Sequence, residues 1–163
     1  CMGSSLGVAG NAGAFGGILP SLRDKGIPPV ITADGPSGLR LRKYCALLSN
    51  GTALASTWDD KLVEELFAHI GKEMIKHGVD VVLSPGMNLH RNPLCGRNFE
   101  YFSEDPLLTG KQAAALIRGI QENGISACVK HFAARKYLYW EDGSPELVRN
   151  INDQIIQMYM GNI

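Results

Sequence analysis

The stretch VDVVLSPGMNLHRNPLCGRNFEYFSEDP, residues 79–106, decides how this chain folds. Its first five residues form a short apolar run that reads as a buried strand. The rest is a long polar loop carrying Arg91, Arg97, His90 and the acids Glu100, Glu104 and Asp105. A loop of that length and polarity, entered from a buried strand, is seldom mere connection.

Working outward, the same alternation appears on both sides. Upstream, Leu62, Val63, Leu66, Phe67, Ile70 and Met74 recur at helical spacing. Thr57 is placed to cap that helix, and Gly78 to stop it after Lys76 and His77. Downstream, residues 109–123 predict a second helix, with Ala113, Leu116, Ile117 and Ile120 inward and Gly124 closing it. Residues 27–33 and 125–129 are two further apolar runs. Residues 41–56 read as irregular, with Asn50-Gly51 a turn signal. Residues 3–17 read as a small-residue loop.

The order is strand, helix, strand, helix, strand, and each strand is a continuous apolar run. That is the pattern of a parallel sheet covered by helices on both faces. The polar residues follow the strand ends: Asp34-Gly35-Pro36, then residues 84–106, then Lys130-His131. In a parallel βα barrel, as in an open doubly wound sheet, those ends share one edge. Three clusters far apart in sequence therefore point at one site.

Composition narrows the class. The chain has 163 residues, 45% of them hydrophobic, a length for one ordinary domain with a core. Sixteen basic and sixteen acidic residues balance, which argues against nucleic acid as a partner. No apolar run reaches the roughly 18 residues of a membrane span, so no membrane association is expected. Cys1, Cys45, Cys95 and Cys128 make no C-x-x-C pair, so a metal or redox motif is unsupported. Cys128 sits in an apolar run and reads as a buried thiol. Scattered cysteines and no visible signal peptide suit a reducing, cytoplasmic location, in a chain whose true start is expected to precede Cys1.

Each candidate has two readings. Asp34, on a Gly-Pro turn, can accept two hydroxyl donors at once, or it can stabilise its own loop. The Arg97 guanidinium is a rigid fork of donors, with Glu100 three residues on to orient it; the pair can equally pin the loop. Asn88, His90 and Arg91 read as loop scaffolding, and residues 103–106 as helix capping. A lysine beside a histidine is usually surface, but Lys130 and His131 end an apolar strand, where charge is costly without a partner.

The loop of residues 83–106 closely resembles the sugar-binding loop of family 3 glycoside hydrolases, the β-glucosidases and their relatives. DGPSGLR, residues 34–40, resembles the segment of that family that grips the non-reducing sugar, and Lys130-His131 its sugar-binding Lys-His pair. The resemblance runs over residues 13–134. It implies an α/β fold, part of a (β/α)8 TIM barrel with parallel strands and flanking helices. It implies substrate-binding roles for Asp34, Arg97, Lys130 and His131 towards a β-glucoside or related sugar, with Glu100 supporting. It further implies a non-proline cis peptide within residues 130–133. No cofactor and no metal are expected.

The resemblance also marks what these residues lack. A retaining glycosidase needs two carboxyls about 5–5.5 Å apart. The family's nucleophile is an aspartate in a Ser/Thr-Asp-Trp segment, absent here, and its acid/base comes from later still. No catalytic residue is therefore assigned; Trp140-Glu141-Asp142-Gly143 has the wrong order and reads as a turn.

Residues 1–134 are expected to be the N-terminal part of such a barrel. Residues 135–163 read as a divergent helical tail starting at Ser144-Pro145-Glu146, faintly similar to a later piece of the same barrel. The expected whole is a fragment of a retaining β-glycosidase, completed by the rest of its parent chain or by a homo-oligomer partner. The alternatives are a non-catalytic sugar-binding remnant and an oligomerising interaction protein.

Overall fold

A computed structural model describes residues 20–131, together with the backbone of residues 13–16. The readings made for the first twelve residues, for residues 132–134 and for the tail lie outside the described residues. The elements in chain order are β1 (Gly13–Gly16), α1 (Pro20–Arg23), β2 (Pro29–Asp34), α2 (Gly51–Ala55), α3 (Asp60–His77), β3 (Val81–Leu83), α4 (Pro106–Gln121) and β4 (Ser126–Ala127), with a 3-10 turn at Asn98–Glu100 before α4.

The sheet order is β1-β2-β3-β4. β2, β3 and β4 are mutually parallel, with Thr32 opposite Val81 and Val81 opposite Ser126. β1 pairs antiparallel with β2, so part of the expected N-terminal loop is a strand. The helices supply the two crossovers that parallel strands require. Val63, Phe67, Ile70 and Met74 of α3 and Ala113, Leu116, Ile117 and Ile120 of α4 form one core with Ala33 and Val82 of the sheet. Leu62, expected on the inward stripe, is 38% exposed.

Local chemistry explains where the helices begin. Asp59, not Thr57, caps α3, its Oδ1 accepting from the Leu62 amide at 3.0 Å. The Thr57 hydroxyl instead donates to the Leu54 carbonyl at 2.7 Å, closing α2. α2 takes the last part of the stretch expected to be irregular, because Asn50 Oδ1 accepts from the Ala53 amide at 2.9 Å and works as an N-cap rather than a turn. α4 starts at Pro106, earlier than its periodicity indicates, under the Asp105 cap. Gly78 closes α3 with φ 66°. Replacing Asp59 with alanine should lower stability by about 1 kcal/mol, read as a fall in the unfolding midpoint of the full chain.

Two pairings carry the sheet past its strands and set up the site. Gly86 bridges Lys130 in parallel, with the Lys130 amide donating to the Pro85 carbonyl and the Met87 amide to the Lys130 carbonyl, each at 2.9 Å. The Arg40 amide donates to the Asp34 carbonyl at 2.8 Å, folding residues 35–39 back over the end of β2. β4 is shorter than the apolar run that announced it, and Cys128 is exposed rather than buried. Among the described residues β4 pairs only with β3.

Candidate functional site

The ends of the three parallel strands meet at one network of charge. Lys130 Nζ lies 2.5 Å from Asp34 Oδ1 and 3.7 Å from Glu100 Oε2. Arg97 Nε donates to the other Glu100 oxygen, Oε1. Arg40 reaches the second Asp34 oxygen at 3.4 Å from the solvent side. The chain Arg40–Asp34–Lys130–Glu100–Arg97 thus alternates in sign, which is what permits Lys130 and Glu100 to be 13% and 5% exposed. The hydrogen bond to Glu100 is the main cause of an upward shift in the Arg97 pKa, outweighing the opposite effect of burial. Arg97 therefore stays cationic at any working pH.

Asp34, Arg40, Arg97, Phe99 and Glu100 line a cleft of about 510 Å³, together with Lys43 and residues 45–47 of the loop before α2. That volume falls within the range of small-molecule sites. Lys130 and His131 are not among the lining residues; Lys130 reaches the cleft through its pairs with Asp34 and Glu100.

His131 is held from the β3 loop. Its amide donates to Asn88 Oδ1 at 2.9 Å, and Asn88 Nδ2 donates to its carbonyl at 3.3 Å. Its Nδ1 is 3.2 Å from the buried Tyr101 hydroxyl. The Lys130–His131 peptide bond is cis, as is Ser84–Pro85. The bond between His131 and Phe132 lies outside the described residues.

All five residues singled out in the sequence, Asp34, Arg97, Glu100, Lys130 and His131, thus fall in one region. Asn88 is scaffolding, as expected, and His90 is too, with Nε2 2.9 Å from the Asn98 carbonyl. Sequence reasoning missed Arg40 and Tyr101. Arg40 is the last residue of the quoted 34–40 segment. Tyr101 follows Glu100 directly, and an aromatic with a hydroxyl in so polar a loop was the available signal.

Three comparisons with known proteins agree with this architecture. Residues 19–147 match the family model described as the glycosyl hydrolase family 3 N terminal domain. A β-glucosidase of Ruminococcus albus is 50% identical over 127 residues, covering 77% of this chain and 13% of that protein. Thermostable β-glucosidase B of Acetivibrio thermocellus is 45% identical over 121 residues, covering 67% of this chain and 16% of that protein. Among solved structures, a β-glucosidase from Paenibacillus barengoltzii superposes with TM-score 0.84 at 45% identity, covering 98% of this chain and 18% of its own. β-Glucosidase 3B from Thermotoga neapolitana, in complex with α-D-glucose, gives 0.71 at 46%, covering 78% and 18%.

The described strands and helices are part of an α/β barrel, and the chain belongs to glycosyl hydrolase family 3, within its N-terminal domain. It spans between about an eighth and a sixth of the length of the two curated β-glucosidases just described. Among the described residues, no helix is long and apolar enough to cross a membrane.

Proposed function

We propose that this chain forms the part of a retaining β-glucosidase that holds the sugar ring next to the scissile bond. The observation that carries the reading is the meeting of three strand ends at one cleft of small-molecule size: Asp34, Arg97 and Glu100 line it, and Lys130 pairs with both carboxylates. A carboxylate, a guanidinium and an ammonium together offer acceptors and donors in the mixed arrangement that vicinal hydroxyls need. Asp34 accepts from two hydroxyls. Arg97, oriented by Glu100, donates as a fork. Lys130 has three donors, one already on Asp34, and His131 is steered by Tyr101 and Asn88. A glucose complex of a relative 46% identical to this chain supports a sugar as the ligand.

These residues position a substrate; the two carboxyls that perform retention come from elsewhere in the parent. On this reading residues 1–134 are the barrel's opening part and residues 135–163 a tail derived from a later part of it. The remaining strands, which a barrel of eight requires, come from the rest of the parent chain or from a partner copy.

Calorimetric titration of glucose into the full-length parent tests the assignment. Arg97→Lys keeps the charge and loses the fork, and is expected to weaken glucose binding about tenfold. Unchanged affinity would remove Arg97 from the ligand set. The 163-residue chain alone is expected to give no turnover of an aryl β-glucoside. Hydrolysis that disappears in Asp142→Asn would show instead that the tail supplies the nucleophile.

A further inference from the structure

Cys45, which lines the cleft, meets Glu73 and His77 of α3. Each can offer one ligand atom, and those atoms all lie within 4.8 Å of one another, with all three residues half-buried. Glu73 and His77 are four residues apart on α3 and so share one face of the helix. Cys45 comes from the loop before α2, which the Glu73 carboxylate already holds by accepting from the Ala46 amide at 3.0 and 3.2 Å.

The geometry points to a divalent-cation site of the zinc class, formed by the Cys45 thiolate, the Glu73 carboxylate and the His77 imidazole, that clips the cleft wall to α3. The ligand set is mixed S, O and N, which zinc accepts in tetrahedral coordination with water in the fourth position. Bond lengths of roughly 2.0–2.3 Å put such ligand atoms about 3.5 Å apart, so side-chain rotations of about 1 Å close the site.

A second observation is independent of the cluster's composition. His77 Nε2 is buried and makes no hydrogen bond, a cost that a folded protein seldom leaves in place. A metal takes that imidazole either through Nε2 itself or through Nδ1, and in the second case Nε2 carries the ring proton. The site also sits in the last turn of α3, where the helix C-terminus favours positive charge. Lys43 and Lys76 are positive groups that act on Cys45, and both are solvent-exposed, so their opposition is screened.

Burial, and after it the Glu73 carboxylate, pushes the Cys45 thiol up from its ordinary value. A cation placed between the two reverses the second effect. The sulfur–metal bond forms as the thiol proton passes to solvent, so binding strengthens as pH rises. The Glu73 carboxylate has enough lone pairs to keep the Ala46 amide and accept a metal as well. Lys43 and residues 45–47 line the cleft, so the clip fixes one of its walls. The inference does not depend on the cleft's ligand being a sugar.

Cobalt and zinc titrations of the chelator-treated full chain test it. Cobalt is expected to give a thiolate-to-metal charge-transfer band in the near ultraviolet, which zinc abolishes by competition. Cys45→Ser and His77→Gln should each weaken zinc binding at least about tenfold, and Cys45→Ser should lose the band. Cys95→Ser and Cys128→Ser should keep both. A wild-type protein without the band, or a band that survives in Cys45→Ser, would overturn the assignment. Alkylation gives a readout free of any variant: zinc should slow labelling of Cys45 by iodoacetamide about tenfold. Equal labelling with and without zinc would also overturn it.

Discussion

Lys130→Met in the full-length parent is expected to lower kcat/KM for an aryl β-glucoside by about two to three orders of magnitude. The methionine keeps most of the stem's length and bulk and removes only the charge. Asp34 then keeps one cation, the exposed Arg40 at 3.4 Å, and Glu100 keeps Arg97. Each hydrogen bond to a charged group contributes about 1.5–3 kcal/mol. Losing the one to Asp34 and the proposed one to substrate removes about 3–6 kcal/mol, or more than a hundredfold in rate. The fall should appear in both kcat and glucose affinity if Lys130, which pairs with Asp34, also donates to the ring as proposed. A variant within a few-fold of the wild type, folded by circular dichroism, would reduce Lys130 to a structural counter-ion of Asp34 and Glu100.

The site was legible because its residues follow strand ends, and strand ends were legible from continuous apolar runs. Asp34, Arg97 and Lys130 could be placed together without a single contact being known. Partner choice within the site was not. Lys130 lies between two carboxylates 66 residues apart in the chain, and no spacing rule links it to Glu100. Arg40 sits six residues from Asp34, across a turn whose backbone the sequence does not specify.

Element boundaries went astray where a polar side chain outbid an apolar period. Asn50 caps a helix where the Asn-Gly pair reads as a turn, and Asp105 starts α4 ahead of its apolar stripe. Asp59 and Thr57 are both good caps in sequence. Which one acts depends on Thr57 already closing α2 with its hydroxyl. The apolar neighbours of Cys128 predict burial, yet β4 ends at Ala127, and the run's period says nothing of what covers the far edge. The Cys45, Glu73 and His77 group was illegible for a similar reason. Its helical half has the right spacing, but its cysteine arrives from a loop with no periodic signal.

Gly119→Val is expected to destabilise the full chain by several kcal/mol, in opposition to helix propensity. Taken alone, replacing a mid-helix glycine gains helix propensity, up to about 1 kcal/mol for alanine and less for valine. Gly119 is buried in α4 where it crosses α3, and a Cβ built there would stand 2.1 Å from the Glu64 carbonyl oxygen and 3.0 Å from the Ala68 amide nitrogen. Both are backbone atoms of α3, so no rotamer change relieves the clash and the helices must part. The crossing is fixed on either side: Arg118 pairs with Glu64 at 2.8 Å, and Asn123 Nδ2 donates to the carbonyls of Ala68 and Gly119 at 3.2 and 3.1 Å. Overpacking of this kind costs about 1–3 kcal/mol when side chains can yield, and more against backbone. Because α3 runs into β3 and α4 into β4, parting them moves Lys130 relative to Glu100. Denaturant unfolding should therefore show a lower midpoint, with glucose affinity falling alongside it. Gly119→Ala, with one methyl in place of three carbons, should show the same sign at smaller size. A stability gain in Gly119→Ala would mean that the two helices do not cross in backbone contact, and the register that brings the strand ends together would have to be redrawn.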